Sequence, residues 1–360
     1  MAMSDCSALD TPRRLISVLV TVYNKEAFLK NCIRSLLTQS VSCFDIIVVD
    51  DGSEDNSWAV CGEMLSKRES IRIRQPHSGV AAARNNALSL VRSEYFIFLD
   101  ADDSLNESAL EQLADCVHNC APDLAVYGFC YALPDGTRKH KSQPFAYYKS
   151  PKEIRENFLS LWESGLMYSV CNKLFRTSLV RSSGLYFENR EIGEDLAFCR
   201  QYLSQCSSLQ VIPACLYNYT CHIAGSLSTS FRADLYQLRL KEHREMSAYF
   251  QKMGCVGTKA EHYLSARHIG RILGCIENEC AAGNGKNLWE RYQGVRRIAL
   301  DEETQTCVKA ASFSDWKMGA LRLLLCLRNV PLIFLSGVCM AVCHNLFPRL
   351  FVRLKTARRG

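Results

Sequence analysis

The sequence predicts an α/β fold: a mostly parallel central sheet flanked by helices, with a helical appendage at the C-terminal end. Two observations carry this. Over the first third, short apolar runs rich in β-branched and aromatic residues alternate with stretches of helical period. Beyond residue 231, strand-like runs cease and helical stretches continue.

The elements follow in order. Residues 15–22 (LISVLVTV) have the near-continuous apolar character of a strand buried on both faces. Asn24 is placed to cap the next helix, whose apolar stripe is Phe28, Ile33, Leu36 and Leu37. Residues 44–49 (FDIIVV) form a second strand, ended by Asp50-Asp51-Gly52-Ser53. A weaker third strand covers 71–74. After the loop Pro76-His77-Ser78-Gly79, the Ala-rich stretch 80–91 reads as a helix. Residues 95–99 (YFIFL) make a fourth strand that runs into Asp100-Ala101-Asp102-Asp103. A helix over 105–117 and a fifth strand over 124–127 complete the series. Residues 234–253, 258–282 and 288–299 read as helices.

In such sheets ligands sit beyond the carboxyl ends of strands. Three polar clusters lie there: Thr21-Val22-Tyr23-Asn24, Asp50–Ser53 and Asp100–Asp103. Closely spaced carboxylates repel one another unless a cation compensates. Mg²⁺ takes one or two carboxylates and completes its shell with water and substrate phosphates. Asp100, Asp102 and Asp103 therefore predict a site for a divalent metal (Mg or Mn) and a diphosphate. A helix cap accounts for one of these acids, not three. Asp51 is placed to accept a hydrogen bond from a uracil imide, an ordinary turn being the alternative. Arg84 is placed to pair with the diphosphate, a solvated arginine being the alternative. His222, in the polar loop 219–230, is placed to reach the diphosphate or the metal.

Composition narrows the class. The 360 residues carry a formal net charge of +6, and residues 317–360 hold eight Lys or Arg and no Asp or Glu. The remainder is thus 6 − 8 = −2, which argues against nucleic acid as a partner. A short, polar beginning (residues 1–14) lacks the apolar core of a secretory signal. The 19 cysteines contain no CxxC pair and read as buried thiols of a reducing compartment. Cys116-His118-Cys120 and Cys339-Cys343-His344 have no second ligand pair at zinc spacing, so core packing is favoured.

The series SVLVTVYN (17–24), DIIVVDDGSEDNS (45–57), SGVAAARNNAL (78–88) and YFIFLDADD (95–103) resembles the family 2 glycosyltransferases of GT-A fold, bacterial polysaccharide-biosynthesis type. The resemblance covers residues 14–230. It implies that Thr21 and Tyr23 pack against the nucleotide and that Asp51 holds the base. It also implies that Asp102 and Asp103 close the metal-binding DxD element, with Asp100 beside the nucleotide. Cys171-Asn172-Lys173-Leu174-Phe175 resembles the family's W-N-K-L-F/Y element, with Cys where Trp is usual. Glu191–Phe198 (EIGEDLAF) resembles its G-E-D-x-x-F element, which implies Asp195 as general base and Glu194 as its acceptor-orienting partner. Chemically this is apt, since inverting transfer to a hydroxyl needs one carboxylate at the attacking oxygen. Both acids favouring a helix N-terminus is the alternative.

The implied activity is transfer from a nucleotide-sugar donor, UDP-linked, to a glycan or lipid-linked saccharide acceptor. The implied organisation is a catalytic domain over 14–230, with a nucleotide-sugar half to 130 and an acceptor half from 131. A helical extension over 231–316 and a basic, apolar segment over 317–360 follow. The apolar stretch 330–343 is short for a membrane span but suits peripheral membrane contact, at the cytoplasmic face. A dinucleotide-dependent oxidoreductase is disfavoured because G-x-G-x-x-G is missing after the first strand. A sugar nucleotidyltransferase would want a Gly-rich phosphate loop there. A non-catalytic nucleotide- or glycan-binding protein would not need both acid sites.

Overall fold

A computed structural model describes residues 14–133, 135–221, 231–281, 284–313 and 316–346. The N-terminal half begins β1 (Ile16–Val22), α1 (Glu26–Leu37), β2 (Phe44–Asp50), α2 (Ser57–Met64), β3 (Ile71–Arg74), α3 (Val80–Leu90) and β4 (Tyr95–Asp100). A two-residue β5 (Ser104–Leu105), α4 (Ala109–Cys120) and β6 (Leu124–Ala132) follow. The second half adds β7 (Arg138–Lys141), β8 (Ala146–Tyr148), α5 (Pro151–Glu156), α6 (Phe158–Glu163), β9 (Lys173–Arg176), α7 (Thr177–Ser182), α8 (Glu194–Leu203) and β10 (Leu209–Thr220).

All ten strands share one sheet, in the order β3-β2-β1-β4-β9-β6-β10-β5, with β7 on β6 and β8 on β10. The predicted parallel arrangement holds for β3-β2-β1-β4 and for β6-β10. The short strands β5, β7, β8 and β9 pair antiparallel, so the second half is mixed. Runs of two to four residues carry too little periodicity to be read from sequence.

β9 lies between β4 and β6, which buries the N-K-L-F element completely. Its Lys173 is fully enclosed, yet its ammonium donates to Leu166 O (2.7 Å), Ser169 O (2.5 Å) and Asn172 Oδ1 (3.0 Å). Those bonds offset the cost of burying a charge. They also pin the turn at 166–169 beside the site.

Two local expectations need correction. Asn24 does not cap α1; it sits at φ +49, and its Oδ1 accepts from the backbone N–H of Glu54 (2.8 Å). It thereby ties the β1 loop to the β2 loop. The helix expected over 105–117 starts later, at Ala109, because Ser104–Leu105 pair with β10 instead.

The appendage comprises α9 (Leu235–Lys252), α10 (Thr258–Cys280), α11 (Leu288–Leu300), α12 (Glu302–Ala310), α13 (Trp316–Cys326) and α14 (Val330–Leu346). Met246, Tyr249, Phe250 and Leu264 join the core of the sheet domain. Helices α10–α14 enclose a second core containing Ile272, Ile276, Val295, Val308, Leu325 and Ile333. Residues of α13 and α14, among them Leu321, Leu325 and Ile333, belong to this second core. Their outer faces expose Leu323, Leu327, Leu332 and Leu335. Among the described residues, no helix is long and apolar enough to cross a membrane.

Candidate active site

Register brings the strand-end clusters together. On β1, Val22 lies opposite Asp50 of β2, and Thr21 lies opposite Asp100 of β4. Tyr23, just beyond, is 37% exposed and stacks on His77 at 4.0 Å between ring centroids. The two rings form an aromatic platform at the crevice edge. Position 77 carries no motif, so sequence reasoning passed over His77. Its loop is built by Asp51.

The Asp51 carboxylate accepts from Gln75 Nε2 (2.6 Å), Ser78 N (2.9 Å) and Gly79 N (2.9 Å), and pairs with His77 Nδ1 (2.9 Å). Four donors fill a carboxylate's acceptor capacity. In this arrangement Asp51 spends its hydrogen bonds within its own loop. It holds the loop that presents His77.

Arg84 is only 4% exposed, and its guanidinium is taken up by carboxylates. One terminal nitrogen donates to Asp195 Oδ1 and lies 3.3 Å from Glu194 Oε1, while the other lies 3.3 Å from Asp100 Oδ1. Phe98 and Phe187 wall the guanidinium at 5.9 and 5.3 Å. Burial alone would lower the Arg84 pKa, but Asp195 and Asp100 outweigh it and raise it. The cation is thus locked as the bridge between α3, β4 and α8.

Around that bridge the acids sense each other. Burial raises the Asp100 pKa, Arg84 opposes this, and Asp195 adds to it. Burial and then Asp195 raise that of Glu194. Buried Cys171 donates its Sγ to Asp100 Oδ2 at 3.2 Å. Burial and then Asp100 push this thiol well up, so it stays a protonated donor. The Cys in place of Trp is therefore a contact of the acidic cluster.

Glu194 and Asp195 open α8 after Gly193, which adopts φ +78. A residue with a Cβ is strained there, so glycine lets the chain turn into the helix. The helix N-terminus favours both acids, as the structural alternative held. Asp195 also keeps 23% of its side chain exposed, with Val170 N 3.4 Å from Oδ2. It is held on one side and keeps part of its surface accessible.

The DxD residues divide. Asp102 is partly exposed and pairs with Lys25 Nζ at 2.5 Å. Asp103 is buried, accepting from Tyr217 OH (2.7 Å) and Thr220 N (2.7 Å). Both Asp103 oxygens thereby anchor β10. Burial, and then Asp100, raise its pKa well above the usual carboxylate range. His222 lies outside the described residues. Among the described residues, no three His, Cys, Asp or Glu side chains are grouped to hold a metal ion. One exposed carboxylate still fits an ion whose remaining ligands are substrate phosphates and water. Asp102 is the residue that would supply that carboxylate.

Residues 17–184 match the glycosyl transferase family 2 description. The chain carries a family 2 glycosyltransferase domain. It is 27% identical over 341 residues to EpsH of Bacillus subtilis (strain 168), named as a glycosyltransferase, covering 91% of this chain and 96% of that one. It is 29% identical over 221 residues to the teichoic acid poly(glycerol phosphate) polymerase of Staphylococcus epidermidis, covering 60% of this chain and 29% of that one. The S. aureus TarS fragment 1–349 solved with UDP-GlcNAc shares the fold, with a TM-score of 0.60 at 18% identity, covering 92% of this chain and 91% of that one. The transferase domain described here is accordingly a GT-A-type α/β enzyme with C-terminal helices.

Proposed function

We propose that this glycosyltransferase moves a sugar from a UDP-sugar to a hydroxyl of a glycan or lipid-linked saccharide, with inversion, in the synthesis of a bacterial cell-surface polysaccharide. The observation that carries the reading is the Arg84 bridge, which holds the candidate base Asp195 beside the donor-side acid Asp100. UDP-GlcNAc in the similarly folded TarS fragment supports the donor class.

On this reading the base of the nucleotide lies over Tyr23 and His77, beside Thr21, and Asp100 lies nearby. Asp102 would hold a divalent ion shared with the diphosphate; when bound, that ion neutralises the departing UDP. Asp195 takes the proton of the acceptor hydroxyl as its oxygen attacks the anomeric carbon. The bond from that carbon to the diphosphate breaks, and its electron pair leaves with UDP. Glu194 orients the acceptor. Arg84 holds Asp195 in place until the proton arrives. Holding both substrates in one crevice supplies much of the rate.

The exposed leucines of α13 and α14, followed by five Lys or Arg beyond residue 346, support peripheral contact with an anionic membrane at the cytoplasmic face. Metal-dependent hydrolysis of UDP-sugars by the purified chain, with Asp102→Ala as control, tests the enzymatic reading. UDP binding without turnover, indifferent to that change, would leave only a binding protein.

A further inference from the structure

Asp195 lies midway in sequence between two arginines that converge on one carboxylate of the appendage. Arg190, five positions before it, and Arg200, five positions after it in the last turn of α8, each donate to Glu245 Oε2 of α9 at 2.7 Å. Glu188 extends the network: its Oε2 accepts from Arg190 Nε (2.7 Å) and its Oε1 from Gln201 Nε2 (2.6 Å). The loop before α8, α8 itself and α9 are thus closed into one ring of charge-assisted bonds. Glu242, three positions before Glu245 and on the same face of α9, adds a second point of contact. It is buried, held by Arg239 (2.5 Å) and Arg267, and its carboxylate lies 3.7 Å from where a Cβ on Gly193 would sit.

The start of the same loop is fixed separately. Asn85, next to Arg84 on α3, donates Nδ2 to Phe187 O (2.8 Å) and accepts from Phe187 N (2.7 Å). Phe187 walls the Arg84 guanidinium and stacks on Phe198 of α8 at 4.2 Å between ring centroids. Arg84 therefore fixes the Asp195 carboxylate, while α9 fixes the backbone on either side of it.

We propose that Glu245 is a positioning residue for the general base, through which the helical appendage sets the place of Asp195 in the crevice. This rests on the reading of Asp195 as that base. Glu245 lies well beyond residues 17–184, which match the family, so the clamp belongs to the appendage. Without the Glu245 charge, Arg190 would keep Glu188, but two guanidinium groups would face each other across the vacated position. Like charges so close repel. Parting Arg190 from Arg200 turns the chain at Gly193 and shifts the N-terminus of α8, which carries Asp195.

The test is steady-state hydrolysis of a panel of UDP-sugars by the full chain with Mg²⁺, water standing in for the acceptor, beside calorimetric titration with UDP. Glu245→Gln keeps the shape and removes the charge; Arg200→Gln opens the clamp from the α8 side. Each is made alone and together with Asp195→Asn. Both single variants should bind UDP as the wild type does and lose turnover by about tenfold to 10²-fold, as expected for a reacting group displaced by about 1 Å. Neither should lower turnover further once Asp195 is Asn, because a base that is gone cannot be misplaced. Unchanged turnover in both single variants overturns the inference. So does loss of UDP binding in both, or a fall of equal size with and without Asp195, since the network would then serve stability alone. If Asp195→Asn by itself hydrolyses as fast as the wild type, the base reading fails and the positioning role falls with it. A wild type that binds UDP but hydrolyses no UDP-sugar refutes the transferase reading instead.

Discussion

Arg84 on α3 and Asp195 on α8, 111 positions apart, form a direct ion pair in which the arginine is almost fully buried. Asp100 and Glu194 share the same guanidinium. Replacing Arg84 with Met would leave three carboxylates facing one another without a cation. Removing one partner of a buried ion pair costs about 3–5 kcal/mol. Arg84→Met should therefore lower the denaturation midpoint clearly, and Arg84→Lys should recover only part of the loss because a point charge cannot span three acids. Combining Arg84→Met with Asp195→Asn should cost less than the two changes summed, read from denaturant melts of all four proteins.

Asp195→Asn keeps the shape of the side chain but cannot accept the proton. Transfer turnover should fall by about 10²–10⁴-fold, the usual contribution of a general base. UDP-sugar KM should change little, since Asp195 acts on the acceptor hydroxyl and not on the donor. A loss confined to KM in steady-state transfer assays would move the base elsewhere, with Glu194 the next residue to test.

Asp102 and Asp103 should behave differently despite being adjacent. Asp102→Asn should abolish the response of UDP-sugar hydrolysis to Mg²⁺ or Mn²⁺. Asp103→Asn should retain that response and show its cost in stability, through the contacts to Tyr217 and Thr220. A metal titration of hydrolysis on both variants separates the two roles.

Asp103 also predicts a pH effect of definite sign. Its folded pKa is raised, while an unfolded Asp titrates near about 3.9. Between those values the folded chain keeps a proton that the unfolded chain releases. Stability therefore falls as pH rises through that window, by up to about 1.4 kcal/mol per pH unit for one group. Asp100 and Glu194, also raised, act in the same direction. Asp103→Asn should flatten the slope measured from urea midpoints above about pH 4 without removing it.

Lys25 competes with a cation for Asp102. An ion pair this exposed contributes about 0.2–1 kcal/mol. Lys25→Met should lower the metal concentration that half-activates hydrolysis by about 1.4- to fivefold, that energy expressed as a ratio. A rise in that concentration would show that Lys25 helps to hold the diphosphate.

The first four strands, helices α1 and α3 and the acidic clusters at the strand ends were legible in the sequence because their determinants are local; the short α2 was not. β-branched runs such as LISVLVTV and FDIIVV can be buried on both faces only as central strands, and Asp-rich turns follow them directly. The Glu194-Asp195 pair was legible for the same reason, as a short motif opening a helix. The partners of these residues were not. Whether Arg84 meets a diphosphate or Asp195 depends on how α3 and α8 pack across the sheet, and Asp103 meets Tyr217 only because β10 pairs with β5. Those contacts join positions more than a hundred residues apart, and no local periodicity encodes them. The sequence by itself determined which acids stand at the crevice; tertiary packing decided which of them are free to act there and which are already held.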